Sequence, residues 1–168
     1  MPLIIAGNHI GNPQDIPLRT LEMVKKADLL IFEEDRPARL VLKTAKVHRD
    51  YLKLNENRAE EAIQGAHQCL KNNQIVLYMS DQGMPSNADP GFQLVELAMS
   101  LMVEIEIIPG PSSISAAIAA SPVRIDQYNY MGFLKRKPEE RRAQLKDCLL
   151  YTSPSPRDQR GSRMPSSA

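Results

Sequence analysis

What the chain lacks narrows it first. It has two cysteines in 168 residues, and Cys148 falls in a C-terminal stretch set apart below, which leaves Cys69 alone in the patterned part. A lone cysteine inside a helical pattern is a small core residue and implies no disulfide framework, so a reducing compartment is allowed. Long apolar runs are missing too. No stretch could span a bilayer, and the N-terminus lacks a basic segment followed by an apolar one, so a soluble cytoplasmic protein without membrane contact is expected. Excess charge of one sign is also absent: Met1–Asp147 carries 18 Lys and Arg against 19 Asp and Glu, a net of −1, which argues neither for nor against nucleic acid. No G-x-G-x-x-G follows the first apolar run, which disfavours a dinucleotide-dependent dehydrogenase. No metal-ligating set is expected.

From Cys148 the chain reads CLLYTSPSPRDQRGSRMPSSA and abruptly loses hydrophobic periodicity. Cys148 to Asp158 match, without a mismatch, the translation of a common transposase-library sequencing adapter. Cys148–Ala168 is therefore expected to be a non-native tail, and the natural product to be longer; a native Ser/Pro-rich disordered tail is the alternative. Met1–Asp147 is ample for one hydrophobic core.

Short apolar runs alternate with amphipathic segments through this part. Strands are expected at Leu3–Ala6, Leu29–Phe32, Ile75–Met79 and Ile105–Ile108, with an extended stretch at Tyr51–Leu54. Helices are expected at Leu18–Ala27, where Leu18, Leu21 and Val24 share a face, near Pro37–Lys43, at Arg58–Asn72 with Asn57 as N-cap and Glu60 at the capping-box position, at Phe92–Leu101 and at Ser113–Ala120. Strand then helix with short connections implies an α/β fold: a mostly parallel five-stranded sheet with helices on both faces. After the Ser121-Pro122 break, Tyr128–Phe133 reads as the first strand of a second α/β domain. The expected division is 1–122, 123–147 and the tail 148–168.

Two punctuated loops follow apolar runs: Ser80 to Gly91, SDQGMPSNADPG, and Pro109-Gly110-Pro111-Ser112-Ser113. Gly, Pro, Ser and Asp at the carboxyl edge of a parallel sheet offer backbone N–H groups and short polar side chains where open α/β folds bind ligands. In Asn8 to Asp15, Gly11 permits a tight turn, and Asn12 and Asp15 can tie the loop to the next helix, Asp15 best as a cap near Pro17. Ser80, Asp81 and Gly83 are read as site residues, whereas Asp89 divides evenly between a site and a cap after Pro90. The small residues Ala116, Ala117, Ala119 and Ala120 would let their helix lie close to the sheet. Glu33 to Arg36 either brace a cleft or form an ion-paired surface turn.

The segments LIIAGNHIGNPQDIPLRTLEMVKKADLLIFEEDR, SDQGMPSNADPG, IIPGPSSISAAIAAS and GFLKRK, in that order and spacing, resemble the ribosomal RNA small-subunit methyltransferase I branch of the tetrapyrrole methylases over essentially all of Pro2–Asp147. The resemblance implies two α/β domains with S-adenosylmethionine in the cleft between them, the first being the donor-binding domain, and methylation of a cytidine ribose 2′-oxygen in small-subunit rRNA. Carried onto this chain, donor contacts fall on Gly11, Asn12, Ser80, Asp81, Gly83, Pro109, Gly110 and Ser112, with the N–H groups at the start of the Ser113 helix available to the donor's carboxylate. Asp81 and Glu33 are candidates for the base by position only. RNA contact falls on Lys135, Arg136, Lys137 and Arg141, a run that a solvated helix with Glu139 and Glu140 answering its arginines would equally explain. The partner is rRNA or the ribosomal subunit, and a homodimer is allowed.

Departures from the family pattern cluster in the loops. Asn8 and His9 stand for Thr-Pro, Asp35 for Thr, and Gln82, Met84, Ser86, Asn87 and Ala88 break the usual SDAGTPGISDPG. A tetrapyrrole carbon methylase is the alternative enzyme, although a Gly-x-Gly-Pro-Gly loop would be expected where His9-Ile10-Gly11-Asn12 stands. A degenerate, non-catalytic RNA- or protein-binding module is the alternative outside enzymes.

Overall fold

The structure, a computed structural model, describes residues 2–55, 58–85 and 89–150. Two compact units divide the chain, Met1–Asp126 and a second beginning at Gln127. In the first, elements alternate as β1 (Leu3–Ala6), α1 (Leu18–Lys26), β2 (Leu29–Phe32), α2 (Asp35–Ala45), β3 (Leu52–Lys53), α3 (Ala59–Lys71), β4 (Val76–Met79), α4 (Phe92–Ser100), β5 (Ile105–Ile108) and α5 (Ser113–Ala119). The second contains α6 (Pro138–Leu150).

The five strands lie in the order β3-β2-β4-β1-β5, and every pairing is parallel. Residues along a strand alternate between two cores. Ile4, Ala6, Leu30, Phe32, Leu77 and Met79 pack with Val24 of α1 and Ala38, Val41 and Leu42 of α2. Leu3, Ile5, Ile31, Val76 and Tyr78 pack with Ala62 and Leu70 of α3 and Leu94 and Ala98 of α4. Each such large apolar side chain, fully buried, contributes about 1.5–3 kcal/mol. Runs apolar on both faces were required for this, because helices cover both sides of the sheet. The chain leaves β1 toward β2 along one face and leaves β4 toward β5 along the other, so the strand order reverses between β1 and β4. A crevice opens there at the carboxyl ends of the strands.

Several local expectations are corrected. α2 starts at Asp35, two residues before Pro37, because a proline in the first helical turn lacks an N–H that would have no intrahelical partner anyway. Asp15 does not cap α1, whose N-cap is Pro17; it ends a 3-10 turn, Pro13–Asp15, capped by Asn12, whose side chain accepts from the Gln14 N–H. Asn57 and its proposed capping box lie outside the described residues. Arg58 occupies the N-cap of α3, the Asn55 Oδ1 accepts from its N–H at 3.2 Å, and Glu60 accepts from the Gln64 side chain. α5 buries none of its residues, so its alanines do not lie against the sheet. Tyr128–Phe133 forms no strand; a strand needs a ladder partner, and none adjoins it among the described residues. In the second unit Glu140 pairs with Lys137 at 3.3 Å, and Arg141 and Arg142 have no ion pair among the described residues. Residues from Tyr151 onward, most of the expected tail, lie outside the described residues.

Candidate methyl-donor site

Four strands deliver their polar loops to the same edge: β1 passes into Gly7-Asn8-His9, β2 into Glu33-Glu34, β4 into Ser80-Asp81-Gln82-Gly83, and β5 into Pro109-Gly110. The first and third are bound together at the switch point. Asn8, fully buried, donates from Nδ2 to the carbonyls of Ser80 and Asp81 at 3.1 and 3.0 Å, while its Oδ1 accepts from the His9 N–H at 2.8 Å. The Asn8 N–H donates to the Gly83 carbonyl, and the Gly83 N–H to the His9 carbonyl. Gly83 holds φ +72, a conformation that favours glycine. His9 Nδ1 in turn accepts from the Gly11 N–H at 3.0 Å.

The β5 loop closes on β1 through two glycines. A Cβ on Gly7 would stand 2.6 Å from the Gly110 Cα and 2.7 Å from its nitrogen, and a Cβ on Gly110 would stand 2.8 Å from the Gly7 Cα. Met84 fills the corner beside them, its sulfur accepting from the Gly110 N–H at 3.2 Å. That N–H is therefore occupied, Pro111 has none, and α5 spans only seven residues. At the start of α5 itself Ser112 makes no side-chain cap bond, so the first N–H groups of the helix are uncapped.

The β2 and β4 loops exchange a reciprocal clasp. Asp81 donates its N–H to Glu33 Oε2 at 3.2 Å, and Glu34 donates its N–H to Asp81 Oδ1 at 3.1 Å. Each carboxylate engages the clasp through one oxygen. Burial pushes the Glu33 carboxyl up, opposed by the Asp81 N–H and reinforced by the charges of Asp81, Asp89 and Glu34. Burial likewise pushes Asp81 up against the Glu34 N–H. Asp89 accepts from the Tyr78 hydroxyl at 3.0 Å and the Gly91 N–H at 2.7 Å; that phenol is pushed up by burial and by Asp89. The Glu33-to-Arg36 segment thus braces the β4 loop through Glu33 and Glu34 and is ion-paired through Asp35. Asp35 accepts from Lys53 Nζ at 2.7 Å and the Tyr51 hydroxyl at 3.0 Å, which hold its carboxyl below the usual range.

Of the residues singled out from the sequence, Glu33, Ser80, Asp81, Gly83 and Gly110 converge. Asn12 is taken up in the 3-10 cap, Gly11 faces open space at φ +146, Pro109 is exposed and Ser112 makes no side-chain cap bond. Lys135, Arg136, Lys137 and Arg141 belong to the second unit. Sequence reasoning marked Asn8 and Met84 only as departures from the family pattern and Asp89 as site or cap, and it passed over Gly7 and Tyr78. A methionine inside a Gly/Pro/Ser/Asp loop was the available signal for Met84; nothing in the sequence marked Asn8 as buried.

A family profile for Tetrapyrrole (Corrin/Porphyrin) Methylases matches residues 2–154. The chain belongs to the tetrapyrrole (corrin/porphyrin) methylases. The match runs past the Cys148 boundary drawn from composition. Among relatives of this tetrapyrrole methylase, the ribosomal RNA small subunit methyltransferase I of Thermotoga maritima is 35% identical over 140 residues, 83% of this chain and 63% of the relative. The chain thus spans less than two-thirds of that protein's length. The solved uroporphyrin III C-methyl transferase of Thermus thermophilus shares the fold with a TM-score of 0.54 at 19% identity, over 70% of this chain and 52% of that one. The same enzyme complexed with S-adenyl homocysteine gives 0.53 at 18%, over 70% and 51%. Within this tetrapyrrole methylase three of the departures from the family pattern fall on joining contacts: Asn8 links β1 to β4, Met84 lies against the Gly7–Gly110 approach, and Asp35 ties α2 to β3; Ser86, Asn87 and Ala88 lie outside the described residues.

Proposed function

We propose that this chain supplies the donor-binding half of an S-adenosylmethionine-dependent methyltransferase whose acceptor is a ribose 2′-hydroxyl of small-subunit rRNA. The observation that carries the reading is the locked junction of the β1 and β4 loops at the switch point, faced by the Asp81–Glu33 carboxylates, in a chain of this family. The residues present fit the donor. Glycines at 7 and 110 let the β1 and β5 loops close on each other and Gly83 admits the turn beside them, while the carboxylates set a negative field suited to a cationic sulfonium. When bound, S-adenosylmethionine supplies an electrophilic methyl group.

The chain's own residues have three tasks. The Asn8 and Gly83 bonds hold the loops in register, so that little reorganisation accompanies binding. Asp81 and Glu33, with carboxyls raised by burial, are better matched to accept a hydroxyl proton than ordinary carboxylates, and each retains one oxygen outside the clasp. Lys135, Arg136, Lys137 and Arg141 offer cations to RNA phosphates. The relative's name, an rRNA methyltransferase, favours RNA over a tetrapyrrole acceptor.

The test is calorimetric titration of S-adenosylmethionine and S-adenosylhomocysteine into the full-length protein and an Asp81→Asn variant, which keeps an acceptor for the Glu34 N–H. Micromolar binding that weakens about tenfold, ~1.4 kcal/mol, on loss of the charge supports the reading. No binding to the folded full-length protein would leave the non-catalytic module.

A further inference from the structure

The far end of α2 borders a recess that the donor site does not use. α2 begins at Asp35 on the carboxyl edge, and its eleven residues carry the chain about 16 Å toward the opposite edge of the sheet. Lys46 ends the helix in the left-handed conformation, φ 58 and ψ 43, an arrangement that disfavours a lysine relative to glycine or asparagine. The following residues lead toward β3. Between the last turns of α2 and this segment lies a groove of about 600 Å³. Leu42 and Val47 supply apolar lining, Arg39, Lys43, Lys46 and His48 supply polar lining, and Asp50 is the one acid among the lining residues.

The wall of this groove is fixed in place. Arg49 donates its guanidinium to the carbonyls of Val24, Lys25 and Asp28 at 3.1 to 3.3 Å, pinning the segment against the C-terminal end of α1. Lys43 and Lys46 are exposed and form no ion pair among the described residues, and Arg39 acts on Asp35 through its field without pairing. The surrounding unit, Met1–Asp126, has 12 Lys and Arg against 16 Asp and Glu. Four of those 12 cations line this one groove, beside a single acid. A helix dipole accounts for Lys43 and Lys46 at the C-terminus, worth about 0.3–1 kcal/mol each. It does not account for Arg39, a turn earlier, for His48 beyond the helix, or for a recess between them.

We infer that this groove is a second contact for the phosphodiester backbone of RNA, an anchor remote from the acceptor nucleotide. The inference rests on the rRNA reading above. Arg39, Lys43 and Lys46 meet phosphate oxygens, and the half-buried Val47 receives the apolar edge of a ribose. Such contacts add affinity and orientation without reading sequence.

Fluorescence anisotropy of a labelled single-stranded oligoribonucleotide, titrated with the full-length protein over a range of salt, tests it. Neutralising three phosphate contacts in an Arg39→Gln/Lys43→Gln/Lys46→Gln variant lowers the slope of log K against log salt by about 2, from about 0.7 per contact on a single strand. Loss is expected to be similar for oligoribonucleotides of different sequence, and S-adenosylhomocysteine binding stays at its wild-type value. Lys43→Gln alone, an exposed change that the fold tolerates, lowers the slope by about 0.7, and Lys43→Arg restores it. An unchanged slope overturns the inference, whether the melting temperature holds or falls; a fall with an unchanged slope assigns these cations to the helix terminus. Wild-type protein that binds S-adenosylhomocysteine but no RNA removes the rRNA reading itself, whereas RNA binding with an unaltered slope removes only the groove.

Discussion

Asn8 offers the sharpest test of how the site is held. Its fully buried side chain makes three hydrogen bonds, two to the carbonyls of Ser80 and Asp81 and one from the His9 N–H. Asn8→Ala deletes all three and leaves those backbone groups without protein partners. At about 1 kcal/mol net for each bond the loss is ~3 kcal/mol. For a chain of this size that lowers Tm by about 6–12 °C, read by circular dichroism. Asn8→Asp separates hydrogen bonding from volume. The new carboxylate keeps the acceptor for His9 but turns an oxygen toward two carbonyl oxygens, and only a proton lets it donate to either. Its folded pKa is therefore raised above the unfolded value. Stability relative to Asn8→Ala is present below the unfolded pKa and lost as pH rises through the folded one. The aspartate variant should be the less stable of the two near about pH 7 and recover toward about pH 4. A Tm drop under about 2 °C for alanine, less than the loss of even one bond would give, or no pH dependence of the difference, would refute the argument.

Further substitutions probe the loop contacts. Gly7→Ala and Gly110→Ala each force a Cβ within 3 Å of opposing backbone, and each should cost about 1–3 kcal/mol in urea denaturation; Gly65→Ala, whose Cβ meets the flexible ends of the Leu52 and Leu29 side chains and no backbone, should be close to neutral, and equal losses at all three would discredit the close approach. Asp35 is held below the usual carboxyl range by Lys53 first and Tyr51 second, so it contributes stability above the ordinary aspartate value that is lost as pH falls through the folded one. Asp35→Asn should flatten the acid limb of a Tm–pH curve below about pH 4; an unchanged limb would show that the pair contributes nothing.

Much of the fold was legible because its signals are local. The apolar runs Leu3–Ala6, Leu29–Phe32 and Val76–Met79 mark strands buried on both faces, and the 3.6-residue spacing of Leu21, Val24 and their neighbours marks covering helices. Errors arose where a partner at a distance decides. Whether Tyr128–Phe133 is a strand depends on a ladder partner, and whether α5 packs depends on a surface that its own alanines cannot reveal. Asp15 had the residue type of a cap, but the Asn12-capped 3-10 turn took that stretch of chain first.

The site divides along the same line. By itself the sequence determined the fold class, the strands and the loops at their carboxyl ends, since periodicity and turn chemistry are properties of neighbouring residues. Only the tertiary structure decided that β4 lies between β2 and β1. That order brings Ser80 and Asp81 onto Asn8, 72 and 73 residues earlier, and onto the Glu33–Glu34 loop, while β5 beside β1 sets Gly110 against Gly7. Strand order comes from which faces the connecting helices can bury together, a global free-energy balance that no single stretch of residues encodes.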